Sequence, residues 1–304
     1  MSPRDTAAFL ALAAIWGASF LFMRVGAPVF GPVPLTLLRC AIGAATLVPL
    51  LLAFGRPADL RAHWPRLALV GVLNSAVPFV LLGWATLALS AGTTSILNSL
   101  APLWSAGIAF LWLGDRLTPF QVLGLGLGVA GVAVLAGGGA SGPVGADGAA
   151  DLVTPAGAAL PFLAALGATA FYGLAANVAR RTLAGVDPLA VATGSQLGAT
   201  LALLVPGLLL WPEGAAPGPG DWGAAVALGT VCTGLAYLLF FGLIARVGAT
   251  RTIAVTFAIP VFGVGWGAWL LGERVDGATL AGGAIVVLGT ALATGALGTR
   301  RAEA

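Results

Sequence analysis

The sequence predicts an all-α polytopic membrane protein with ten transmembrane helices in two inverted five-helix repeats, at residues 1–145 and 146–304. Three observations support this fold class: the composition, the length of the apolar runs, and a self-similarity at about half the chain length. Of the 304 residues, 59% are hydrophobic and only 8% are charged, whereas about 25% of the residues of an average soluble domain are charged. The composition therefore excludes a water-soluble globular protein.

Ten apolar runs are long enough to cross a bilayer as helices. A transmembrane helix needs about 20 mainly apolar residues to span the roughly 30 Å hydrocarbon core. The breaks between the runs collect glycine, proline and the charged residues that the runs themselves lack. The predicted spans are 7–23, 33–53, 67–88, 93–113, 119–137, 157–178, 188–210, 223–245, 250–271 and 278–297.

The arginines predict the orientation, because cytoplasmic loops of membrane proteins collect basic residues and translocated loops do not. All 14 basic residues are arginine. With both termini in the cytoplasm, eleven of them fall inside, Arg24 and Arg274 fall outside, and Arg39 lies within a span. We therefore expect a multi-pass protein of the cytoplasmic (inner) membrane. The net charge of +3 is not the clustered basic surface that nucleic acid would need.

The second half of the chain repeats motifs of the first. At an offset of 158 residues, Pro102 matches Pro260, and the LGDR run at 113–116 matches the LGER run at 271–274. Each repeat holds five spans, so the second must enter the membrane from the opposite side. Inverted repeats of this kind are typical of secondary transporters, whose two halves exchange conformations around one central site.

The chain resembles EamA-type members of the drug/metabolite transporter superfamily. The resemblance depends on the opening AIWGASFLFMRVG at 14–26, on Pro32 or Pro34 followed by Arg39, and on the doubled proline and LGDR or LGER motif. It implies a ten-helix fold whose central cavity is lined by the first, third, fourth, sixth, eighth and ninth helices. It also implies export of small metabolites, amino acids among them.

Polar and aromatic residues near span centres are the candidates for the solute site. Proline frees the carbonyl of the residue four positions earlier, so Pro102 and Pro260 would each expose an acceptor near the midplane. Helix packing remains the alternative, since hydrogen bonds between transmembrane helices contribute only about 0.6 kcal/mol on average. The predicted substrate-binding residues are Trp16, Asn74, Asn98, Trp104, Tyr237 and Thr256, with helix breaks at Pro78, Pro102 and Pro260.

Five charged residues are candidates for a structural or gating role. Arg39 is the only charge well inside a span, about 9 Å from its start at 1.5 Å per residue, and a long side chain can extend toward the interface. We favour structure or gating over ligand binding for it. Asp115, Arg116, Glu273 and Arg274, in the paired LGDR and LGER turns, are expected to brace the two sides of the protein. The alternative is simple charge at a helix boundary.

These observations predict a secondary transporter that moves a small neutral or zwitterionic metabolite by alternating access, with amino-acid export as the first choice. A broad exporter of neutral or anionic drugs or nucleobase-like metabolites is the alternative, and a polytopic membrane enzyme is the third choice. No catalytic dyad, metal site or cofactor is expected. The solute and the lipid bilayer are the expected partners, and a homodimer is left open.

Overall fold

The protein is described by a computed structural model over residues 1–137 and 155–294. Nine helical spans of 19 to 29 residues are long and apolar enough to cross a membrane, and a tenth apolar helix has 17 residues. The chain is therefore a polytopic all-α membrane protein. In order, its spans are Pro3–Phe30, Pro32–Phe54, Trp64–Ala85, Ala91–Leu113, Pro119–Gly137, Pro155–Thr182, Pro188–Leu209, Pro219–Val247, Arg251–Leu271 and Gly277–Ala293.

Several helices extend beyond their predicted apolar runs because capping residues are polar. The first helix begins at Pro3, where the Ser2 side chain accepts a hydrogen bond from the Asp5 N–H (3.2 Å), a usual way to satisfy a free donor at a helix start. The tenth begins at Gly277, where Asp276 accepts from the Thr279 N–H (2.7 Å). A short helix, Pro57–Ala62, also forms within a loop for which no element was predicted.

Four spans depart from regular α-helix, the ninth only at Ala254, between the helices Ala249–Ile253 and Val255–Leu271. π-Helical segments occupy Val72–Ala76 in the third span and Thr230–Leu235 in the eighth, and these segments begin 158 residues apart. The fourth span is interrupted: one helix ends at Asn98, the next begins at Ala101, and a further π-helical segment covers Ala109–Leu113. The Pro102 ring and its missing N–H explain the interruption. The span predicted over 93–113 is therefore interrupted beside Pro102, where a helix break was predicted.

The packing of the spans follows the repeat. The first span packs on the eighth and ninth, and its counterpart, the sixth, packs on the third and fourth. The second span likewise packs on the eighth, and its counterpart, the seventh, packs on the third. The second span also packs on the seventh, the fourth on the ninth, and the fifth on the tenth. Each contact thus has a counterpart with the repeats exchanged, as expected if the halves are related by a pseudo-two-fold axis.

Glycines bring the fifth and tenth spans into backbone contact. A Cβ on Gly131 would lie 3.0 Å from the Gly282 carbonyl oxygen, and a Cβ on Gly282 would lie 3.0 Å from that of Gly131. Gly124 and Gly289 meet in the same reciprocal way. Such reciprocity is a property of two-fold contacts, and the absence of side chains permits the close approach.

Gly131→Ala should destabilise the protein. The new methyl would lie 2.9 Å from the Val286 backbone nitrogen, and overpacking of this kind costs about 1 to 3 kcal/mol. Thermal unfolding in detergent should therefore occur at a lower temperature. Gly126→Ala, five residues earlier in the same helix, is the matched control, because nothing lies within 4 Å of its Cβ position. Equal midpoints for the two variants would contradict the close contact.

Candidate functional site

A cavity of about 310 Å³ lies among the helices. Its walls come from the first, second, third, fourth, sixth, eighth and ninth spans, so the second span joins the six that the family resemblance implied. The lining residues are Trp16, Ser19, Phe20, Met23, Arg39, Asn74, Phe79, Leu82, Asn98, Ala101, Pro102, Tyr172, Cys232, Thr233, Tyr237, Phe240, Thr256 and Ile259.

Equivalent positions of the two repeats face each other across this cavity. At an offset of 158 residues, the lining residue Asn98 corresponds to the lining residue Thr256. Five further pairs behave in the same way, four at that offset and one at 156. They are Asn74 and Cys232, Phe79 and Tyr237, Leu82 and Phe240, Ala101 and Ile259, and Trp16 and Tyr172. The cavity therefore lies at the interface between the repeats, where transporters with inverted repeats place their substrate sites.

Arg39 contributes the only charged side chain among the lining residues. It is 5% exposed, and its guanidinium carbon lies 3.6 Å from the centre of the Phe79 ring. Its Nε donates to Thr233 Oγ1 (3.3 Å), and its Nη1 lies 3.8 Å from Met23 Sδ. Within residues 1–137 and 155–294, no carboxylate lies within 4.0 Å of it. The sequence had favoured a structural or gating role, but the structure directs the charge to the cavity wall.

Five of the six predicted substrate-binding residues line this cavity: Trp16, Asn74, Asn98, Tyr237 and Thr256, with Pro102 beside them. The Trp16 and Phe240 rings are 5.4 Å apart, and those of Phe79 and Tyr172 are 6.4 Å apart. The wall thus combines aromatic rings with amide and hydroxyl groups. Asn98 Oδ1 and Ser19 Oγ are buried and have no hydrogen-bond partner in the described part of the chain.

Trp104 does not belong to this cavity. Its side chain is 42% exposed and borders a separate apolar groove beside the fifth and sixth spans. Trp104 follows Pro102 by two residues. At about 100° per residue, its side chain points about 200° around the helix from the side that carries Pro102. Its central depth predicted a cavity role, but depth does not determine which face of a helix a residue occupies. Pro78 and Pro260 are buried and also lie outside the lining set.

The effects of the three prolines on the helices differ. Pro102 coincides with the interruption of the fourth span, and Pro78 lies two residues after the end of the π-helical segment of the third. Pro260 lies inside an uninterrupted helix, Val255–Leu271. The ninth span has its irregular residue earlier, at Ala254, between two helices. The predicted break at Pro260 is therefore wrong, although its missing N–H still leaves the Thr256 carbonyl without that donor.

Sequence reasoning missed lining residues whose signal was present in the repeat. Tyr172 and Phe79 occupy the positions equivalent to Trp16 and Tyr237, which were predicted. Applying the offset to each candidate would have found both. Ser19 and Met23 carried no such signal, because their equivalents in the second repeat are alanines.

The LGDR and LGER turns have the same backbone. Gly114 (φ 73°) and Gly272 (φ 65°) both adopt the left-handed conformation that favours glycine. In each turn, the N–H of the following acid donates to the carbonyl six residues earlier, from Asp115 to Ala109 (3.3 Å) and from Glu273 to Gly267 (3.1 Å). Each acid is thereby held at the end of its span.

The Glu273 carboxylate joins four spans. Its oxygens accept from the backbone N–H groups of Ala91 (2.8 Å) and Gly92 (3.3 Å), at the start of the fourth span. Arg24, near the end of the first span, places its Nε 3.9 Å from Glu273 and donates to the carbonyls of Thr86 and Leu87 after the third. A carboxylate is favourable at a helix start, where free N–H groups and the helix dipole are positive.

The Asp115 end is held by more exposed contacts. Asp115 pairs with Arg180 at 2.9 Å, and the two side chains are 48% and 55% exposed, compared with 12% for Glu273 and 18% for Arg24. Asp5 and Arg246 pair at 2.7 Å between the first and eighth spans. Exposed pairs contribute about 0 to 1 kcal/mol. The bracing contacts at the Glu273 end are therefore the more buried ones, and we expect that end to be the more firmly closed.

Arg116 and Arg274 take no part in these contacts. Both are exposed, and over the described ranges neither has a carboxylate within 4.0 Å. The acids of the two motifs make the bracing contacts, with Arg24 and Arg180 as their cationic partners. In the same part of the chain, no group of three or more His, Cys, Asp or Glu residues is arranged to hold a metal ion.

The fold and the central cavity define a multi-pass membrane transporter. The model of the EamA-like transporter family matches residues 6–137 and again 159–295. The chain belongs to the EamA-like transporter family.

Three relatives show what the chain is similar to. A "Probable terminal-alkyne amino-acid exporter" of Streptantibioticus cattleyicolor is 28% identical over 95% of this chain and 93% of its own. An uncharacterized transporter of Archaeoglobus fulgidus is 26% identical over 90% of this chain and 92% of its own. A protein of known crystal structure is 26% identical, with a TM-score of 0.67 and full coverage of both chains.

Proposed function

We propose that this protein is a secondary transporter that moves small solutes bearing a carboxylate across the cytoplasmic membrane, with amino acids as the preferred class and export as the direction. The observation that carries this proposal is Arg39, a buried guanidinium on the cavity wall with no carboxylate within 4.0 Å in the described ranges. A charge out of water is costly unless it is paired. A solute carboxylate supplies that pair.

The other lining groups suit the rest of an amino acid. Asn98 Oδ1 and Ser19 Oγ lack hydrogen-bond partners within the described ranges, and Thr256 and Asn74 add hydroxyl and amide groups whose oxygens can bind an ammonium. Aromatic rings surround the remaining space. A cavity of about 310 Å³ is at the lower end of the 300 to 1,000 Å³ of small-molecule sites. This favours a single small metabolite over a bulky drug.

Flux measurements in proteoliposomes test the proposal. The panel should contain neutral amino acids, the amines that lack their carboxylate, and the acids that lack their amino group, each with and without a pH gradient. We expect transport of the amino acids and not of the amines, because only the former can neutralise Arg39. Transport of amines equal to that of amino acids would refute the carboxylate site. Equal transport of the deaminated acids would instead favour the broad exporter of anions.

Alternating access is the mechanism that we propose. Support comes from the lining pairs that the two repeats share and from the reciprocal packing of the fifth and tenth spans. Two halves with equivalent contacts can exchange conformations, so that the cavity opens first to one side and then to the other. The repeat boundary falls in residues 138–154, outside the described residues, so the ranges 1–145 and 146–304 stay a prediction.

The arginine distribution predicts that the Glu273 end is extracytoplasmic. Single cysteines at Ala58 and Glu213, in a background lacking Cys40 and Cys232, should react with an impermeant thiol reagent from opposite sides. Both positions are exposed. We expect Glu213→Cys to be labelled in intact cells and Ala58→Cys only after the membrane is opened. The reverse pattern would overturn the orientation.

A further inference from the structure

We infer that the transporter works mainly as an exchanger of carboxylate-bearing solutes, because Arg39 needs a carboxylate partner whenever the cavity is closed to both sides. The inference rests on the proposed function and adds the mode of transport to it. It predicts that the loaded protein changes conformation much faster than the empty one.

The contacts of Arg39 hold its position without neutralising its charge. The Phe79 ring at 3.6 Å, the Thr233 hydroxyl at 3.3 Å and the Met23 sulfur at 3.8 Å are all uncharged. They come from the third, eighth and first spans, so the guanidinium is fixed by elements of both repeats. A cation over an aromatic ring is attracted to it, but the ring carries no net charge.

No other lining group can neutralise Arg39. Among the described residues that line the cavity, none is Asp, Glu or His. The acids of the transmembrane region lie at span ends, where Glu273 already binds backbone N–H groups and Asp115 already pairs with Arg180. When the cavity is empty, the small exposed part of Arg39, 5% of the residue, therefore meets only water.

The cavity has room for that water in the state that the structure describes. Its volume of about 310 Å³ corresponds to roughly ten waters at about 30 Å³ each. In alternating access, the protein must pass through a state closed at both ends. Closure of the empty cavity would strip water from Arg39 and leave its charge unpaired. A bound carboxylate removes this penalty, so the barrier is lower for the loaded protein.

The exchange of zwitterionic solutes carries no net solute charge across the membrane. The guanidinium charge moves with the protein in both directions, and the solute adds no net charge. The loaded and the empty protein therefore differ in whether the Arg39 charge is paired with a carboxylate. In the exchange of one amino acid for another, Arg39 is paired in every closed state, and its charge lacks a carboxylate only while the cavity is open to water.

Trans-stimulation in proteoliposomes tests the inference with the wild-type protein. Vesicles are loaded with leucine, with 3-methylbutylamine (leucine without its carboxylate), or with buffer, and the uptake of radiolabelled leucine is followed. The amine is the matched control, because it keeps the side chain and the ammonium. We expect internal leucine to accelerate uptake at least tenfold over buffer, and the amine to leave it unchanged. A panel of other neutral amino acids replaces leucine if leucine is not carried.

Each outcome of this experiment either supports or overturns the exchange mode. Equal uptake into leucine-loaded and buffer-loaded vesicles would leave the proposed function intact and overturn the exchange mode. Equal stimulation by leucine and the amine would also overturn it, since the carboxylate would then not be the cause. No uptake of any carboxylate-bearing solute under any condition would overturn the proposed function and this inference together.

Discussion

Replacing Arg39 by glutamine should reduce kcat/KM for amino acids by about 10- to 100-fold, the range expected when a hydrogen bond to a charged group worth about 1.5 to 3 kcal/mol is lost. Glutamine keeps much of the length and some hydrogen bonding but removes the charge. Arg39→Lys should be intermediate, because it keeps the charge and loses the planar fork that binds a carboxylate with two bonds. Initial rates in proteoliposomes measure both effects.

Stability distinguishes a binding role from a structural one. Arg39 lacks a carboxylate partner within 4.0 Å in the described ranges, so its removal leaves no orphaned acid there, and Arg39→Gln should melt at or above the wild-type temperature. The control is Arg61→Gln, at an exposed arginine of the helix Pro57–Ala62. It should alter neither the transport rate nor the melting temperature. If Arg39→Gln transports normally, or unfolds before transport can be measured, the residue belongs to the framework of the protein.

Glu273→Ala should loosen the end of the transporter that the Glu273 contacts hold together, and it should thereby favour opening there. The variant loses two hydrogen bonds from Ala91 and Gly92 to a carboxylate that is 12% exposed. Hydrogen bonds to charged groups contribute about 1.5 to 3 kcal/mol each. The ratio of the state open at this end to the state closed at this end should therefore rise by about tenfold or more. Cys232 lines the cavity and reports this shift.

The rate at which an impermeant thiol reagent modifies Cys232 in intact cells, with Cys40 replaced by serine, gives the measurement. It should rise about tenfold or more in Glu273→Ala, while amino-acid transport falls, because the cycle then spends less time closed at this end. Arg274→Ala is the matched control, since the neighbouring side chain is exposed. Unchanged modification in Glu273→Ala would mean that these contacts do not hold the gate.

The sequence predicted most of the fold because the membrane imposes it. Apolar runs of about 20 residues have few alternatives to a helix in a bilayer, and all ten spans were found. Their ends were less predictable, since Ser2 and Asp276 lie at helix starts for capping reasons that hydropathy does not register. The break at Asn98 was predictable in its cause, Pro102, but not in its extent.

The prediction of the site was limited because the sequence did not show which side of each helix faces the cavity. Trp104 and Trp16 have similar depths, yet only Trp16 faces the cavity. Arg39 was identified as unusual from its position in the span. Its role depends on Met23 and Thr233, and Thr233 is 194 residues away. Contacts of that range follow from tertiary packing, which depth and charge counts along the chain do not contain.

The paired π-helical segments bear on the history of the chain. A π-helical turn holds one residue more than the α-helical turn it replaces, so each segment is the mark of a one-residue insertion. The segments begin at Val72 and Thr230, at the repeat offset, yet no residue of Val72–Ala76 is identical to its equivalent in the second repeat, and the proline that follows the first is an alanine after the second. The most economical history places the insertion in a single five-helix ancestor, before its gene was copied. A shared backbone geometry that carries different side chains is the pattern that such a duplication would leave beside the cavity.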